Sequence, residues 1–189
     1  MAEQNKITKR NFGYFIPLIL IGLGLIIIGF VVIKLISYKN SNTGSSVTPA
    51  EVSYPAPELT LNSLHGEKVS ISDYLNQTLL INNWAVWCPP CKYEMPTLEK
   101  YFEEHRDHGF MLVGIEAGDP HDQVASFVDE YGLTFEILLD PNERAMSLFK
   151  NDNLPSSYVI DRNGMVVLAW TGPISHAMLE KYVTPLLEQ

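Results

Sequence analysis

The 189-residue chain sets 13 Lys and Arg against 22 Asp and Glu, for a net charge of −9, and its length allows one ordinary domain plus an appendage. The charge is uneven: residues 1–50 sum to +4 and residues 51–189 to −13, a domain too acidic to carry the basic footprint that nucleic-acid binding needs. Cys88 and Cys91 are the only cysteines, which excludes a separate structural disulfide framework.

The first twelve residues are polar and carry Lys6, Lys9 and Arg10, and an uncharged apolar run then extends from Tyr14 to Ile33. Its length matches the ~20 residues a helix needs to cross a bilayer core, and it shows no polar face. Tyr14 and Tyr38 sit as interfacial anchors, and Lys34 and Lys39 follow the run. The run exceeds the roughly 7–15 residues of a cleavable signal core and no small-x-small site follows, so a retained signal anchor is expected. The excess of basic residues before it directs the rest of the chain outside the cytoplasm. The expected divisions are a cytoplasmic N-terminus at 1–13, a transmembrane anchor at 14–34, a polar linker at 35–55 and a folded domain at 56–189.

In the domain, Leu59-Thr60-Leu61 and Lys68 to Ile71 flank a turn at His65-Gly66, predicting an opening hairpin. Ser72 to Leu75 reads as a helical turn. Leu79-Leu80-Ile81 is the short apolar run of a central strand, followed by a helix extending to about His108 before Gly109. Phe110 to Ile115 is a second apolar strand. Val124, Phe127, Val128 and Tyr131 mark one face of a helix that ends before Gly132. A strand over Phe135 to Leu139 and a short helix over Arg144 to Phe149 come next. Tyr158 to Ile160 and Val166 to Trp170 form a hairpin across Asp161-Arg162-Asn163-Gly164. Leu179, Val183 and Leu186 line a terminal helix that Pro185 disturbs. The alternation predicts an α/β fold, a mixed central sheet flanked by helices. Phe102, Phe127, Phe149, Tyr158 and Trp84 read as core aromatics.

The chemistry lies in Trp87-Cys88-Pro89-Pro90-Cys91. Pro89 and Pro90 suit a first helical turn, whose N–H groups lack intrahelical partners. Cys88 then sits at the helix N-terminus, where the dipole favours a thiolate, and two cysteines three apart can close a disulfide. The chemistry suggested is thiol–disulfide exchange. A zinc site joining these cysteines to His105 and His108 is disfavoured, because that His pair is too closely spaced and lies in a charged helix end. With no N–H on Pro89 or Pro90, Cys91 is the nearest donor to a Cys88 thiolate. Fewer donors disfavour a strongly oxidising pair, so a reductant or exchanger is expected.

The strand that ends in this motif, Pro96 five residues beyond Cys91, and Leu154-Pro155 before the next strand resemble the thioredoxin superfamily. With the tether, the hairpin and the insert from Phe110 to Leu139, the chain looks like the membrane-anchored, extracytoplasmic proteins of the TlpA/ResA/CcmG type over about residues 55–189. The resemblance implies that Cys88 is the exposed attacking thiol and Cys91 the resolving thiol. It implies that Pro155 is cis, with Leu154 offering its main chain to a substrate and Trp87, Pro89 and Pro90 completing the surface, Trp87 packed over the cysteines. Where cytoplasmic thioredoxins carry a buried aspartate, this chain has Asn82. The resemblance moves the acid beyond the next strand, to Asp119 by preference or Glu116. It implies a tethered oxidoreductase, acting as a reductase, that exchanges electrons with extracytoplasmic protein thiols and disulfides. Apocytochrome c is among the candidate substrates, a membrane or soluble thiol is the donor, and no metal or organic cofactor is required beyond the Cys88–Cys91 pair. Two other classes remain open. Residues Ala56 to Leu75 also resemble the openings of thiol peroxidases, although Ala85 stands where those want Thr or Ser. A non-catalytic binding or chaperone module would instead carry a damaged CxxC.

Overall fold

The structure, a computed structural model, describes residues 24–32 and 46–188. Residues 24–32 form helix α1, on which Leu25, Ile26, Ile27, Ile28 and Phe30 are exposed. Among the described residues no helix is long and apolar enough to cross a membrane, and most of the span expected over 14–34 lies outside them. The chain divides into residues 1–43 and a second unit, Gly44–Gln189, which holds every remaining element.

That unit is built on eight strands: β1 (Ala50–Pro55), β2 (Thr60–Ser63), β3 (Lys68–Ser70), β4 (Thr78–Trp84), β5 (Phe110–Glu116), β6 (Glu136–Leu139), β7 (Ser156–Ile160) and β8 (Met165–Thr171). They lie in the order β1-β8-β7-β4-β5-β6-β2-β3. The helices are α2 (Pro89–His105), α3 (His121–Tyr131), α4 (Arg144–Phe149), α5 (His176–Tyr182) and α6 (Thr184–Leu187). β4 is buried along its whole length, parallel to β5 and antiparallel to β7. The β4–β5 and β5–β6 pairs are parallel, so α2 and α3 serve as crossover connections. Alternation along β4 feeds two cores. Leu80 and Trp84 join Met95, Leu98, Phe102 and Phe127 on one face, and Leu79 and Ile81 join Val113, Ile115, Phe149 and Tyr158 on the other. Each such side chain contributes about 1.5–3 kcal/mol on burial.

Two boundaries differ from expectation. The segment expected to be linker up to residue 55 ends in β1, which pairs antiparallel with β8 from Ala50↔Ala169 to Pro55↔Met165. As an edge strand it buries little: Val52 and Tyr54 are half-buried between exposed neighbours, so its period-2 signal is weak beside Pro55 and Pro57. The terminal helix breaks at Val183 into α5 and α6, with Pro185 in the first turn of α6. The break shifts the inward face by one residue, so that Leu187 is buried and Leu186 only partly so. The β2–β3 hairpin and the α4 span match the sequence reading.

Candidate functional site

β4 ends at Trp84, and the chain turns through Ala85, Val86 and Trp87 into α2. Cys88 caps the helix in an extended conformation, with Pro89 and Pro90 in the first turn. The two rings remove N–H groups that would face the cap, and the main-chain donor to Cys88 Sγ is Cys91 N–H, at 3.3 Å. Cys88 and Cys91 are joined in a disulfide.

Cys91 is fully buried, and Cys88 is only 3% exposed, not the open thiol expected. Its sulfur is turned inward to Cys91, and it reaches solvent at the floor of a groove of about 460 Å³. Trp87, Pro89, Pro90, Glu143, Met146 and Leu154 are among the groove's walls. Trp87 is 67% exposed and stands at the rim, since the turn directs it outward while Trp84 fills the core against Phe127. The Leu154–Pro155 bond is cis, Pro155 is buried, and its carbonyl accepts from Gly172 N–H at 2.8 Å. The structure thus gathers Cys88, Trp87, Pro89, Pro90 and Leu154 around one groove, while Cys91 lies buried, bonded to Cys88, and Pro155 is buried next to Leu154.

The acids sort by burial. β5 ends at Glu116, opposite Trp84 in the parallel register, and Glu116 is buried. Both its oxygens accept from Asp119 N–H at 3.1 Å. Asp119 is half-buried and accepts at Oδ2 from Val86 N–H, at 2.7 Å, two residues before Cys88. Burial first, then the Asp119 side chain, push the Glu116 carboxyl up to about 8, with Asp140 adding a smaller push. Glu116 is thus the buried, upshifted carboxyl, and Asp119 holds the turn ahead of the cysteines through Val86 N–H.

A third acid, Glu94, escapes sequence reasoning. Asn82 is fully buried and donates from Nδ2 to Glu94 Oε1 at 2.7 Å and to Ser157 Oγ at 3.0 Å. Glu94 Oε2 accepts from Ile174 N–H at 3.2 Å. Burial pushes Glu94 up to about 8 against the pull of these two donors. The available signal was its spacing: Glu94 lies one turn after Cys91, on the inward face that Met95 and Leu98 define. Burial thus pushes both Glu94, on the inward face of α2, and Glu116, at the end of β5, up to about 8, close to the reference value of about 8.5 for a thiol. His105, of the disfavoured zinc reading, lies 14 residues beyond Cys91, about 20 Å along a helix, and pairs with Glu180 instead.

A cysteine pair that caps a helix over a mixed sheet and faces a cis X-Pro loop is the arrangement of the thioredoxin-like thiol–disulfide oxidoreductases, and this chain is one of them. It belongs to the AhpC/TSA family, whose sequence model matches residues 52–169. It is 29% identical over 143 residues to the thiol-disulfide oxidoreductase ResA of Geobacillus kaustophilus, covering 76% of this chain and 82% of that one. ResA of Bacillus subtilis is 27% identical over 128 residues, covering 68% and 72%. Among solved structures, a thiol:disulfide interchange protein of the thioredoxin family from Chlorobium tepidum superposes with a TM-score of 0.65 at 26% identity, over 73% of this chain and 99% of that one.

Proposed function

We propose that the protein is a membrane-tethered reductase of disulfides in extracytoplasmic proteins, with apocytochrome c among its candidate substrates. The observation that carries the reading is the Cys88–Cys91 disulfide opening at the floor of a groove walled by Trp87, Met146 and Leu154. The reduced Cys88 thiolate attacks a substrate disulfide and forms a mixed disulfide, expelling one substrate thiolate. Cys91 then gives up its proton and attacks Cys88 Sγ, releasing the second substrate thiol and closing the disulfide seen here. Two electrons pass to the substrate, and a thiol donor, in the membrane or soluble, returns them. Glu116 and Glu94 are the groups proposed to exchange the Cys91 proton, because both are buried and shifted toward the thiol range. Leu154 offers its main chain to an extended substrate segment along the groove. The cysteine pair is the whole redox group, so no metal or organic cofactor enters the cycle. Tethering rests on the apolar run from Tyr14 to Ile33 and its basic flank.

The direction of flow is tested by the reduction potential of the pair, equilibrated against glutathione and dithiothreitol buffers. A value near or below roughly −230 mV supports a reductase, and a value near ~−120 mV makes the protein an oxidant. A thiol peroxidase finds less support in the site, where Ala85 stands three residues before Cys88.

A further inference from the structure

The far end of α2 carries a second cluster with no part in thiol chemistry. Glu104 and His105 close α2, and His176 and Glu180 lie one turn apart on α5, which packs beside it. One donor atom each from Glu104, His105 and Glu180 fall within 4.8 Å of one another. His105 Nε2 lies 2.9 Å from Glu180 Oε1. His176 Nε2 lies 2.5 Å from Glu104 Oε2 and 3.9 Å from Glu180 Oε1. We propose that Glu104, His105, His176 and Glu180 form a binding site for a zinc-class divalent cation that clasps α2 to α5.

Three features support this. The first is donor chemistry. Two imidazoles with two carboxylates suit zinc and its transition-metal neighbours better than magnesium or calcium, which favour all-oxygen sites. The second is spacing. Ligand arms of about 2.0–2.2 Å in a tetrahedral site set neighbouring donors about 3.3–3.6 Å apart. The separations of 2.5, 2.9 and 3.9 Å fall on both sides of that value, and His176 lies outside the group of three, so closing on an ion requires these partly exposed side chains to move, His176 most of all. The third is the support behind the ligands. The buried Tyr101 ring lies 4.4 Å from the His105 ring and 5.9 Å from the His176 ring, centroid to centroid. Its hydroxyl meets Thr184 Oγ1 at 3.0 Å, and Thr184 Oγ1 donates to Glu180 Oε2 at 3.0 Å. Tyr101 thus packs its ring beside both histidines and reaches Glu180 through Thr184, and Thr184 supplies the outer-sphere hydrogen bond to that carboxylate. The cation already close by is Lys100, whose Nζ lies 3.6 Å from Glu104 Oε1 on the exposed side, where an incoming ion displaces it.

An ion bound here fastens the helix end about 20 Å from the cysteines. It therefore raises stability and leaves exchange untouched. At a hundredfold excess over Kd, binding to the folded state alone raises Tm by about 5–10 °C for a chain of this size.

The test is a Zn²⁺ titration of the full-length chain against a chromophoric chelator, with the disulfide kept oxidised so that the cysteines offer no thiolate. The proposal expects one ion per chain and a Tm rise reversed by EDTA. It expects His105→Ala and His176→Ala each to weaken binding at least about tenfold, and His65→Ala and His121→Ala to leave it intact. Tyr101→Phe keeps the ring and removes the hydroxyl, and should weaken binding about 10–100-fold, as outer-sphere changes do. The rate of disulfide exchange should not change in any of these variants. Unaltered stoichiometry and affinity in the His105→Ala/His176→Ala double variant, or no Tm response in the parent chain, overturn the proposal. Melting in EDTA reports separately whether each variant folds.

Discussion

Replacing Glu94 by Gln tests whether the buried face of the cysteine helix carries a protonated acid. A carboxyl raised from 4.5 to about 8 by burial binds its proton more tightly in the folded chain than in the unfolded one. Its stabilisation is therefore fully present below the unfolded value near 4.5 and is lost as pH rises through about 8. At about 1.4 kcal/mol per unit, the folded state loses stability along most of that interval, to a total of about 4 kcal/mol by pH 8. The substituted amide carries no such proton. It offers one acceptor where Glu94 offers two, to Asn82 Nδ2 and Ile174 N–H, and the lost acceptor costs about 1–2 kcal/mol. Turning the Asn82 amide recovers part of this, since Asn82 Oδ1 is buried with no partner among the described residues. The two stability curves should therefore cross: Glu94→Gln is the less stable protein near pH 5 and the more stable one near pH 8. Urea unfolding of the oxidised Gly44–Gln189 unit at pH 5, 6, 7 and 8 measures the difference, in which the other titrating groups cancel. Parallel curves would refute the reasoning and make Glu94 an ordinary ionised carboxylate.

Other outcomes follow from the same geometry. Glu116→Gln should slow thiol–disulfide exchange about tenfold or more and weaken the limb near pH 8 in its pH–rate profile, and the Glu94→Gln/Glu116→Gln double variant should remove that limb. Asp119→Asn weakens the acceptor for Val86 N–H and should cost about 1–2 kcal/mol in urea unfolding while leaving that limb in place. Cys91→Ser should trap a mixed disulfide through Cys88, visible as a mass increase that a thiol reductant removes, and a protein that only binds its partners would trap none. A Cβ at Gly114 would lie 3.0 Å from atoms of Ile137, Phe135 and Trp84, so Gly114→Ala should destabilise the fold by about 1–3 kcal/mol in the same unfolding assay.

The cysteine turn is legible in the sequence because its causes are local. An apolar strand runs into Trp87, two prolines fill a first helical turn, and a pair spaced by two residues must share that turn. The order of strands and helices is legible for the same reason, from Leu79 to Ile81 through the α3 face at Val124 and Phe127. The edge strand β1 is not, because its partner β8 lies more than a hundred residues away and half of its face stays in water. The acids are the clearest case. Sequence spacing prefers Asp119 over Glu116 and passes over Glu94, yet of the three only Glu94 and Glu116 are fully buried. A carboxyl's proton affinity depends on how much water is removed around it, and that follows from which strands and loops close over it. The cluster of Glu104, His105, His176 and Glu180 likewise exists only once α5 has packed on α2, joining side chains more than seventy residues apart. The redox pair and the scaffold that presents it are thus written in the local order of residues. Which acids are buried, and which ligands meet at the far end of the cysteine helix, is set by packing, because burial and long-range proximity arise only when the sheet and helices assemble.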